Sequence, residues 1–440
     1  MISQAVILAG GKGTRLGALA ATKPKALVDI EGTPLIVRQI EVLKRYGVSR
    51  VLILSGHLGD VLAAELGDGD RYGVQISYIK EETPLGTAGA LRAADGRLDD
   101  EFYVIYGDIV FDLDFARLSA FHAAHGGMGT LVVHPNDHPQ DSDLVEIDDH
   151  ARITAFHTKR RDPATVVANL VSAAIYVLKR EVVRFIPNDH ATDFGLDVFP
   201  AIVSAGAALY AYNTPEYLKD AGTLHRREMV EADILSGKVA RRNLSQQQVA
   251  VFLDRDGVLI EERGDAVTAD KVALLPGVAD ALRMLNKSDY LAIVVTNQPG
   301  IAKGFISEAD VAAAHAKMSM ELGGAGAYVH DIEICPHHAE RGFPGERPEL
   351  KIDCDCRKPK PGMLLRAAER FNIDLSRSWM IGDRSVDIEA GQRAGTKTIG
   401  VRTGYGLGDG KSGAAPDVVC DDLASAIERV LGVKQKAETA

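Results

Sequence analysis

The sequence has few of the features that mark secreted, membrane-spanning or nucleic-acid-binding proteins. It contains four cysteines and one tryptophan in 440 residues, and its formal charge is -11. This charge argues against a nucleic-acid or acidic-membrane binder, which would carry a basic patch. No apolar run approaches the roughly 18 residues of a membrane span, and the first residues lack the basic segment of a signal peptide. We therefore expect a cytoplasmic protein without nucleic-acid or membrane partners.

Apolar, strand-like runs alternate with helix-like segments along most of the chain. This alternation favours parallel or mixed sheets flanked by helices, and the length exceeds that of one ordinary core. We predict an α/β protein of two domains, each a mostly parallel sheet flanked by helices. The predicted parts are a first domain at 1–236, a polar linker at 237–248, a second domain at 249–433 and a flexible tail at 434–440. Predicted strands include Leu52–Leu54, Phe102–Tyr106, Gly129–Val133, Ala173–Val177, Val249–Leu253, Leu291–Val295, Trp379–Ile381 and Thr398–Val401, and predicted helices span Thr33–Tyr46 and Pro215–Leu235.

A glycine-rich stretch, Gly10-Gly-Lys-Gly-Thr-Arg15, follows the first apolar run. Glycines let the backbone approach an anion closely, and the N–H groups can surround phosphate oxygens. The stretch alone is weak, because it is neither a Walker A loop nor a dinucleotide fingerprint and an ordinary turn would look similar. Four further motifs follow in order: Pro24-Lys25, Pro84-Leu-Gly-Thr-Ala-Gly-Ala-Leu91, Tyr106-Gly-Asp108 and Lys219-Asp220-Ala-Gly-Thr223. Asp108 ends an apolar strand, where open α/β sheets bind ligands.

The order and spacing of these motifs resemble the sugar-1-phosphate nucleotidyltransferases, over roughly residues 3–235, and among them the heptose- and mannose-1-phosphate guanylyltransferases. The resemblance implies a Rossmann-like fold and attack of a sugar-1-phosphate oxygen on the α-phosphorus of an NTP, with release of pyrophosphate. It implies that Asp108 and Asp220 hold Mg²⁺. It further implies that Arg15 and Lys25 stabilise the phosphates and that Lys159 binds the sugar phosphate. The implied nucleotide contacts are Gly10, Gly11, Gly13 and Thr14, and the residues implied to lie near the base or ribose are Gly86, Thr87 and Gly89.

Two departures from this family pattern bear on the substrate. The stretch after the glycines reads Arg15-Leu-Gly-Ala-Leu-Ala-Ala21 instead of the usual Arg-Leu-x-Pro-Leu-Thr. Lys159 lies in Phe156-His-Thr-Lys159 instead of a Glu-Lys-Pro context, so a solvated basic turn is the alternative for it. The resemblance favours GTP, and it leaves ATP, CTP and UTP as alternatives and the sugar and its anomer open.

A pair of acids follows the apolar run Val249–Leu253. Asp254 and Asp256 can flank one phosphoryl group, with one carboxylate as nucleophile and the other as acid and base. Such a pair is also common in turns and helix caps. Three further motifs follow it in order: Thr296-Asn-Gln298, Cys356-Arg-Lys358-Pro-Lys-Pro-Gly362 and Gly382-Asp383-Arg-Ser-Val-Asp387.

Three of the four cysteines fall between positions 335 and 356. Cys335-Pro-His337 and Cys354-Asp-Cys356 offer three sulfurs and one imidazole, the ligand set of a closed tetrahedral zinc site. In a reducing compartment such spacing indicates metal binding more strongly than it indicates a disulfide. His338 is an alternative fourth ligand.

The second set of motifs resembles the haloacid dehalogenase superfamily of phosphohydrolases, over roughly residues 249–432. The cysteine-containing segments resemble the heptose-1,7-bisphosphate phosphatases and the related histidinol phosphatases, and the long loop from His338 to Asp353 favours the heptose branch. The resemblance implies a Rossmannoid fold with a minimal cap. It assigns Asp254 as the nucleophile and Asp256 as the acid and base. It assigns substrate binding to Thr296, Asn297, Arg357 and Lys358, Mg²⁺ binding to Asp254, Asp383 and the backbone carbonyl of Asp256, and loop support to Asp387. Structural Zn²⁺ is assigned to Cys335, His337, Cys354 and Cys356.

The two resemblances together predict a bifunctional enzyme of heptose activation for surface glycans such as lipopolysaccharide or capsule. Its C-terminal half would remove the 7-phosphate of D-glycero-D-manno-heptose 1,7-bisphosphate. Its N-terminal half would join the resulting heptose 1-phosphate to a nucleotide from an NTP. Two alternatives remain: the same chemistries on mannose or a hexose with a histidinol-phosphatase-like second activity, or one half that serves binding or oligomerisation alone. The oligomeric state, a homo-oligomer included, and direct passage of the intermediate between sites stay open.

Overall fold

A computed structural model describes residues 2–11, 24–56, 58–162, 165–188 and 190–433. The chain divides into two compact units. The first comprises the chain up to His134 together with Ser142–Arg160 and Leu170–Leu244, and the second comprises Pro135–Asp141, Arg161–Asn169 and the chain from Ser245 onward. The predicted flexible tail at 434–440 lies outside the described residues.

The first unit is built on a mixed sheet, nine-stranded within the described residues. Strands β6, β1, β4 and β5 form its parallel part, in that order. β11 pairs antiparallel with both β6 and β8, and β12 pairs parallel with β8. The strands are β1 (Gln4–Ala9), β2 (Asp29–Ile30), β3 (Thr33–Pro34), β4 (Arg50–Ser55), β5 (Gln75–Lys80), β6 (Glu101–Tyr106), β7 (Ile109–Asp112), β8 (Gly129–His134), β9 (Leu144–Ile147), β10 (Ile153–His157), β11 (Val171–Lys179), β12 (Leu209–Asn213) and β13 (Tyr217–Asp220). The helices are α1 (Leu35–Arg45), α2 (Gly59–Leu66), α3 (Gly86–Ala93), α4 (Phe115–His125), α5 (Phe199–Ser204), α6 (Leu224–Leu235) and α7 (Lys238–Arg241).

Each face of this sheet carries its own apolar core, because successive side chains of a strand point to opposite faces. In β1, Ile7 belongs to one core cluster and Val6 to the other. In β4, Ile53 and Leu52 divide in the same way. Helices must therefore cover both faces, which is the arrangement that the unbroken apolar runs predict. The predicted α/β class is confirmed.

A small antiparallel ribbon corrects one sequence prediction. The helix predicted from Pro215 to Leu235 is wrong in its first part, because β13 pairs with β7 in antiparallel register, with Asp220 opposite Ile109. The helix α6 begins after Thr223, whose side chain accepts a hydrogen bond from the Arg226 N–H. The capping residue Thr223 therefore sets the start of the helix. The residues before it form a strand because they pair with β7, and a partner so far away in sequence leaves no mark on the local hydrophobic pattern.

The segment predicted as a linker, 237–248, differs from a plain polar connector. It contains α7, and its residues Asn243 and Leu244 are each 2% exposed. The Asn243 side-chain amide donates to Asp112 Oδ1 at 2.7 Å, and the Leu244 N–H donates to Glu216 Oε1 at 2.9 Å. Buried carboxylates of the first unit thus supply the acceptors that let polar residues of this segment pack there.

The second unit is a parallel sheet in the order β16-β15-β14-β17-β18-β19. All five residues of β14 are buried, as expected for a central parallel strand covered on both faces. Between β14 and β15 the longest element is one helix, which agrees with the predicted minimal cap. The elements are β14 (Val249–Leu253), β15 (Tyr290–Asn297), β16 (Asp331–Cys335), β17 (Trp379–Gly382), β18 (Lys397–Val401) and β19 (Val418–Cys420), with helices α8 (Val278–Lys287), α9 (Pro299–Ala302), α10 (Glu308–Gly324), α11 (Gly362–Phe371), α12 (Ser385–Ala394) and α13 (Leu423–Leu431). Within the described residues, no helix has both the length and the apolar character to cross a membrane.

Candidate active sites and a candidate metal centre

The ribbon of β7 and β13 brings two predicted acids of the first unit together. Asp108 immediately precedes β7, Asp220 ends β13, and the Ala221 N–H donates to the Asp108 carbonyl at 3.0 Å. Lys25 Nζ lies 2.5 Å from Asp108 Oδ2. A Cβ atom on Gly222 would lie 2.8 Å from Lys25 Nζ and 2.9 Å from Asp220 Oδ1, so both groups face this glycine. The three predicted side chains therefore form one cluster.

Cations already pair with both acids in this cluster. Asp220 is ion-paired with Arg226, and Asp108 is ion-paired with Lys25. Two carboxylates close to lysine and arginine side chains suit a site where a divalent cation and phosphate oxygens share the charge. The donor set fits Mg²⁺, which is commonly held by one or two carboxylates together with substrate phosphates.

The carboxyl ends of β1 and β5 place an additional acid near the glycine-rich stretch. A Cβ atom on Gly10 would lie 2.7 Å from Glu81 Oε2, whereas one on Gly11 would meet no atom within 4 Å. The other oxygen, Glu81 Oε1, accepts the Leu85 N–H at 3.2 Å. Burial raises the pKa of Glu81. Of the predicted nucleotide contacts at this end, Gly13, Thr14 and Arg15 lie outside the described residues.

The three residues predicted to lie near the base or ribose, Gly86, Thr87 and Gly89, have structural roles at the start of α3. Gly86 has a φ of +79°, and a Cβ there would lie 2.4 Å from the Thr192 carbonyl oxygen, so glycine is required. The Thr87 hydroxyl donates to Asp193 Oδ2 at 2.8 Å, and Gly89 is buried. These contacts fix the start of α3 against the segment after residue 190. Lys159 is exposed, and its backbone N–H donates to Asp143 Oδ1 at 2.8 Å.

In the second unit, three buried carboxylates converge at the carboxyl ends of β14 and β17. Asp254, Asp383 and Asp387 have carboxylate oxygens within 4.8 Å of one another. Lys358 Nζ lies 2.8 Å from Asp254 Oδ1 and 2.7 Å from Asp387 Oδ1, and it also donates to the Val295 carbonyl at 2.8 Å. All four side chains are buried. Asp387 thus joins the acidic cluster directly, beyond the loop-supporting role that the resemblance implied.

This cluster holds more negative charge than one lysine can balance. Burial, followed by the charges of Asp254 and Asp387, raises the pKa of Asp383 to about 8. Burial and the charge of Asp254 raise the pKa of Asp387 to about 7. Among the described residues, the buried Asp383 Oδ1 has no hydrogen-bond partner. Acids that repel each other and an unused buried oxygen fit a divalent cation such as Mg²⁺.

The second predicted acid, Asp256, is oriented by two neighbours. Arg255, 1% exposed, donates from Nη2 to Asp256 Oδ1 at 2.9 Å and from Nε to Oδ2 at 3.1 Å. Gln298 Nε2 donates to Asp256 Oδ2 at 3.0 Å and to Thr296 Oγ1 at 2.8 Å. Burial raises the pKa of Asp256 despite the opposing effect of the Arg255 charge. The Asp256 carboxylate is therefore held apart from the cluster of three acids.

Two other predicted residues position Lys358 and its loop. The Asn297 side chain accepts a hydrogen bond of 3.1 Å from the Lys358 N–H through Oδ1 and donates one of 3.1 Å from Nδ2 to the Lys358 carbonyl. Arg357 Nη1 donates to the His337 carbonyl at 3.1 Å. Asn297 therefore contacts the loop that carries Lys358, which is a positioning role compatible with its predicted place near substrate.

The predicted sulfur and imidazole ligands form a compact cluster. Cys335 Sγ lies 3.5 Å from Cys354 Sγ and 3.2 Å from Cys356 Sγ, and His337 Nδ1 lies 3.3 Å from Cys356 Sγ. Ligands bonded to zinc at about 2.3 Å are roughly 3.8 Å apart in a tetrahedron, close to these separations. His338 Nδ1 lies instead 3.3 Å from the Glu340 carbonyl oxygen. The cluster can hold a metal ion, with His337 as its imidazole.

The ionisation of these thiols also fits a bound cation. The contact with Cys335 Sγ lowers the pKa of Cys356 to about 5. The same contact, with burial, raises the pKa of Cys335. Neighbouring thiolates disfavour each other, and a metal ion removes this conflict because it binds the deprotonated form of each ligand.

Comparison with known proteins assigns the first half of the chain. Residues 4–236, more than half of the sequence, match the family model described as nucleotidyl transferase. The chain belongs to the nucleotidyl transferase family. Residues 355–426 match a second family model, described as HAD-hydrolase-like. The nucleotidyl transferase assignment covers the cluster of Lys25, Asp108 and Asp220, and the HAD-like match covers Lys358, Asp383 and Asp387.

Curated relatives agree with this division. The nucleotidyl transferase half is 33% identical over 235 residues to a mannose-1-phosphate guanylyltransferase of Mycobacterium tuberculosis, over 53% of this chain and 65% of that protein. The C-terminal half is homologous to D-glycero-beta-D-manno-heptose-1,7-bisphosphate 7-phosphatases. It is 42% identical to that of Rhodopseudomonas palustris, over 33% of this chain and 79% of that protein. It is 40% identical to that of Pasteurella multocida, over 42% of this chain and 98% of that protein.

The two halves cover different fractions of the relatives that they match. The chain spans about two thirds of the length of the guanylyltransferase that its nucleotidyl transferase half matches, and nearly all of the Pasteurella multocida phosphatase.

The predicted site residues do not include Glu81, Gln298 or Arg255. Glu81 follows a strand and precedes the small-residue motif, and this position was the available signal. Gln298 is the third residue of a motif from which only Thr296 and Asn297 were assigned. Asp387 was assigned to loop support alone; its position on the first turn of α12, just after Asp383, was the available signal for a shared cluster. Arg255 offered no signal, since a buried arginine cannot be distinguished from an exposed one in sequence.

Proposed function

We propose that this chain is a bifunctional enzyme that makes an NDP-heptose from a heptose bisphosphate in two steps. The observation that carries the proposal is the pairing of halves: relatives of the C-terminal half are named as heptose-1,7-bisphosphate 7-phosphatases, and the N-terminal half is a nucleotidyl transferase. Removal of the 7-phosphate leaves a sugar 1-phosphate, which is the acceptor that a sugar nucleotidyltransferase requires. GTP is the favoured nucleotide.

In the phosphatase half, Asp254 is the nucleophile that attacks phosphorus, and the bond from phosphorus to the sugar oxygen breaks. Asp256, whose pKa is raised by burial, gives its proton to that oxygen and then takes a proton from the water that hydrolyses the aspartyl phosphate. Lys358 and Thr296 bind the phosphoryl oxygens. Mg²⁺ held by Asp254 and Asp383 would reduce the repulsion between the attacking carboxylate and the phosphate.

In the nucleotidyl transferase half, the sugar-phosphate oxygen attacks the α-phosphorus of the NTP and the bond to pyrophosphate breaks. Lys25 moves from its Asp108 partner to the phosphate oxygens, where its charge stabilises the developing negative charge. Asp108 and Asp220 would hold Mg²⁺, which offsets charge on the triphosphate. This chemistry depends on alignment and charge more than on a covalent intermediate.

The heptose assignment is tested by the products. Incubation of the full chain with heptose 1,7-bisphosphate, Mg²⁺ and each NTP should release inorganic phosphate and pyrophosphate and yield a nucleotide-heptose by mass spectrometry, fastest with GTP. Mannose 1-phosphate, a hexose 1-phosphate and histidinol phosphate are the comparison substrates. Turnover of one of these in place of the heptose compounds would replace heptose by that substrate, and a silent half would favour the binding or oligomerisation alternative.

Glu81 supports the choice of GTP. A carboxylate has acceptor atoms only, and the Watson–Crick edge of guanine carries two adjacent donors, N1–H and the N2 amino group. The corresponding edges of adenine, cytosine and uracil have no two adjacent donors, so a carboxylate pairs with them less well. Glu81 Oε2 lies beside Gly10 at the predicted nucleotide-binding stretch, where such an edge could reach it.

Glu81→Gln is expected to reduce the preference for GTP. An amide replaces one acceptor by a donor, so kcat/KM with GTP should fall by about 10- to 100-fold while that with ATP or UTP stays equal or rises. Kinetics with each NTP and heptose 1-phosphate measure the ratio. Glu82→Gln is the matched control, because Glu82 is the exposed neighbour in sequence and should leave the ratio unchanged. An unchanged ratio in Glu81→Gln would remove this residue from base selection.

We further propose that the sulfur and imidazole cluster binds structural zinc. Its four ligands leave no coordination position for substrate, and the cluster begins and ends the loop from Cys335 to Cys356. That loop leads directly into Arg357 and Lys358. A zinc ion there would fix the loop that delivers Lys358 to the phosphate and would take no part in bond breaking.

Cys356→Ser should remove this metal. Elemental analysis of the purified chain is expected to give about one zinc per chain, and the variant less than about a tenth. Phosphate release should fall and thermal unfolding of the phosphatase half should begin earlier, while pyrophosphate release persists. Cys420→Ser is the control, because Cys420 lies outside the cluster. Full zinc content in Cys356→Ser would contradict the assignment.

A further inference from the structure

Arg384, which the two-step scheme leaves without a role, occupies the rim of the phosphatase site. It follows Asp383 directly, and its guanidinium carbon lies 3.9 Å from the centre of the Tyr405 ring. The Tyr405 N–H donates to Asp383 Oδ2 at 2.7 Å, so the same acid anchors the loop that carries this ring. Tyr405 is 42% exposed. The stacked pair therefore stands where the acidic cluster meets solvent.

The charge of Arg384 is not matched by an ion pair. Within the part of the chain that the structure describes, Arg384 takes part in no ion pair, and its buried Nε has no hydrogen-bond partner. Burial alone would lower the pKa of Arg384, but the interaction with Tyr405, followed by the charges of Glu262, Asp383 and Asp254, raises it overall. Arg384 thus carries a charge beside the reaction centre that no ion pair of the described residues takes up.

Other cations around the site are already engaged. Lys358 is paired with two acids of the cluster. Lys303 Nζ lies 2.5 Å from Asp265 Oδ2. Arg357 donates to the His337 carbonyl. Arg384 is stacked on a ring instead, and this contact holds its plane while leaving the edge of the guanidinium free to bind an anion.

We propose that Arg384, stacked on Tyr405, binds the second phosphate of a bisphosphorylated sugar and so selects bisphosphates over monophosphates. The inference rests on the proposed phosphatase function and adds a residue that determines its substrate. The phosphate that is hydrolysed is held at Asp254 and Lys358, below the rim. A phosphate at the far end of the sugar emerges toward solvent, where a planar guanidinium can offer it two parallel N–H donors.

The test compares a bisphosphate with the matching monophosphate. Arg384→Met keeps the length of the side chain and removes the charge. It should raise KM for heptose 1,7-bisphosphate about 10- to 100-fold, with kcat within about threefold, and leave both constants for heptose 7-phosphate within about threefold. Arg384→Lys should restore only part of the loss, since an ammonium group lacks the planar fork. The magnesium concentration needed for half-maximal activity should not change.

Arg402→Met is the matched control, because Arg402 lies three residues before Tyr405 in exposed pairing with Asp421 and should leave both substrates unaffected. Equal losses for both substrates, or a changed magnesium requirement, would show that Arg384 acts on the hydrolysed phosphate or through Asp383, and would overturn the inference. Unchanged constants would overturn it too. If the unsubstituted chain ignores heptose compounds, the proposed function fails separately, and the same comparison is made with a hexose 1,6-bisphosphate and hexose 6-phosphate.

Discussion

Asp254→Asn is expected to lower phosphate release by about 10⁴-fold or more while pyrophosphate release from NTP and sugar 1-phosphate continues at its original rate. Asp254 is 6% exposed, accepts the Arg255 N–H at 2.7 Å and lies 2.8 Å from Lys358 Nζ. An amide of the same shape preserves the packing but cannot attack phosphorus, and it contributes no charge to the acidic cluster. The phosphatase reaction therefore loses its nucleophile and part of its cation site together.

Both activities are measured on the same preparation, one by phosphate release from heptose 1,7-bisphosphate and the other by pyrophosphate release from GTP and heptose 1-phosphate. Asp421→Asn is the matched control: Asp421 is an exposed acid of the same unit, paired with Arg402, and its substitution should alter neither rate. Loss of both activities in a folded Asp254→Asn protein would refute independent sites. Undiminished phosphate release would remove Asp254 from the nucleophile role.

The strand positions were predictable because buried parallel strands leave a strong local signal. Val249–Leu253 is β14 with identical bounds, and Phe102–Tyr106 differs from β6 by one residue. The error over Pro215–Leu235 has the opposite cause. β13 is a strand because β7, more than a hundred residues earlier, offers it an edge, and such a partner leaves no trace in local periodicity.

The candidate sites were predictable where a motif directly follows a predicted strand. Parallel strands deliver their carboxyl ends to one edge, so Asp254 and Asp383 meet there, and the ribbon brings Asp220 beside Asp108. What the sequence could not show is which side chain faces which. The buried pairing of Arg255 with Asp256, and the stacking of Arg384 on Tyr405, depend on rotamers and on loops far apart in the chain.

Asp108→Asn is expected to produce the reverse separation of activities, with pyrophosphate release lowered by about 10²- to 10³-fold and phosphate release unchanged. The substitution removes a charge that Lys25 and, when bound, a divalent cation both use. An amide at position 108 keeps the shape of the side chain and an oxygen that can still accept a hydrogen bond from Lys25, so the change is mainly one of charge. Initial rates at several magnesium concentrations should show a higher requirement for magnesium.

The chain supplies a matched control for this last substitution. Asp60 forms a pair with Lys80 at 2.5 Å, the same length as the pair between Asp108 and Lys25, but both partners are exposed. An exposed pair contributes little to stability, so Asp60→Asn should leave both rates and the unfolding temperature nearly unchanged. If Asp108→Asn behaved like Asp60→Asn, the acid of the ribbon would hold no catalytic cation, and the nucleotidyl transfer chemistry would need another centre. If it silenced both reactions, the loss would arise from misfolding, which the unfolding temperature would reveal.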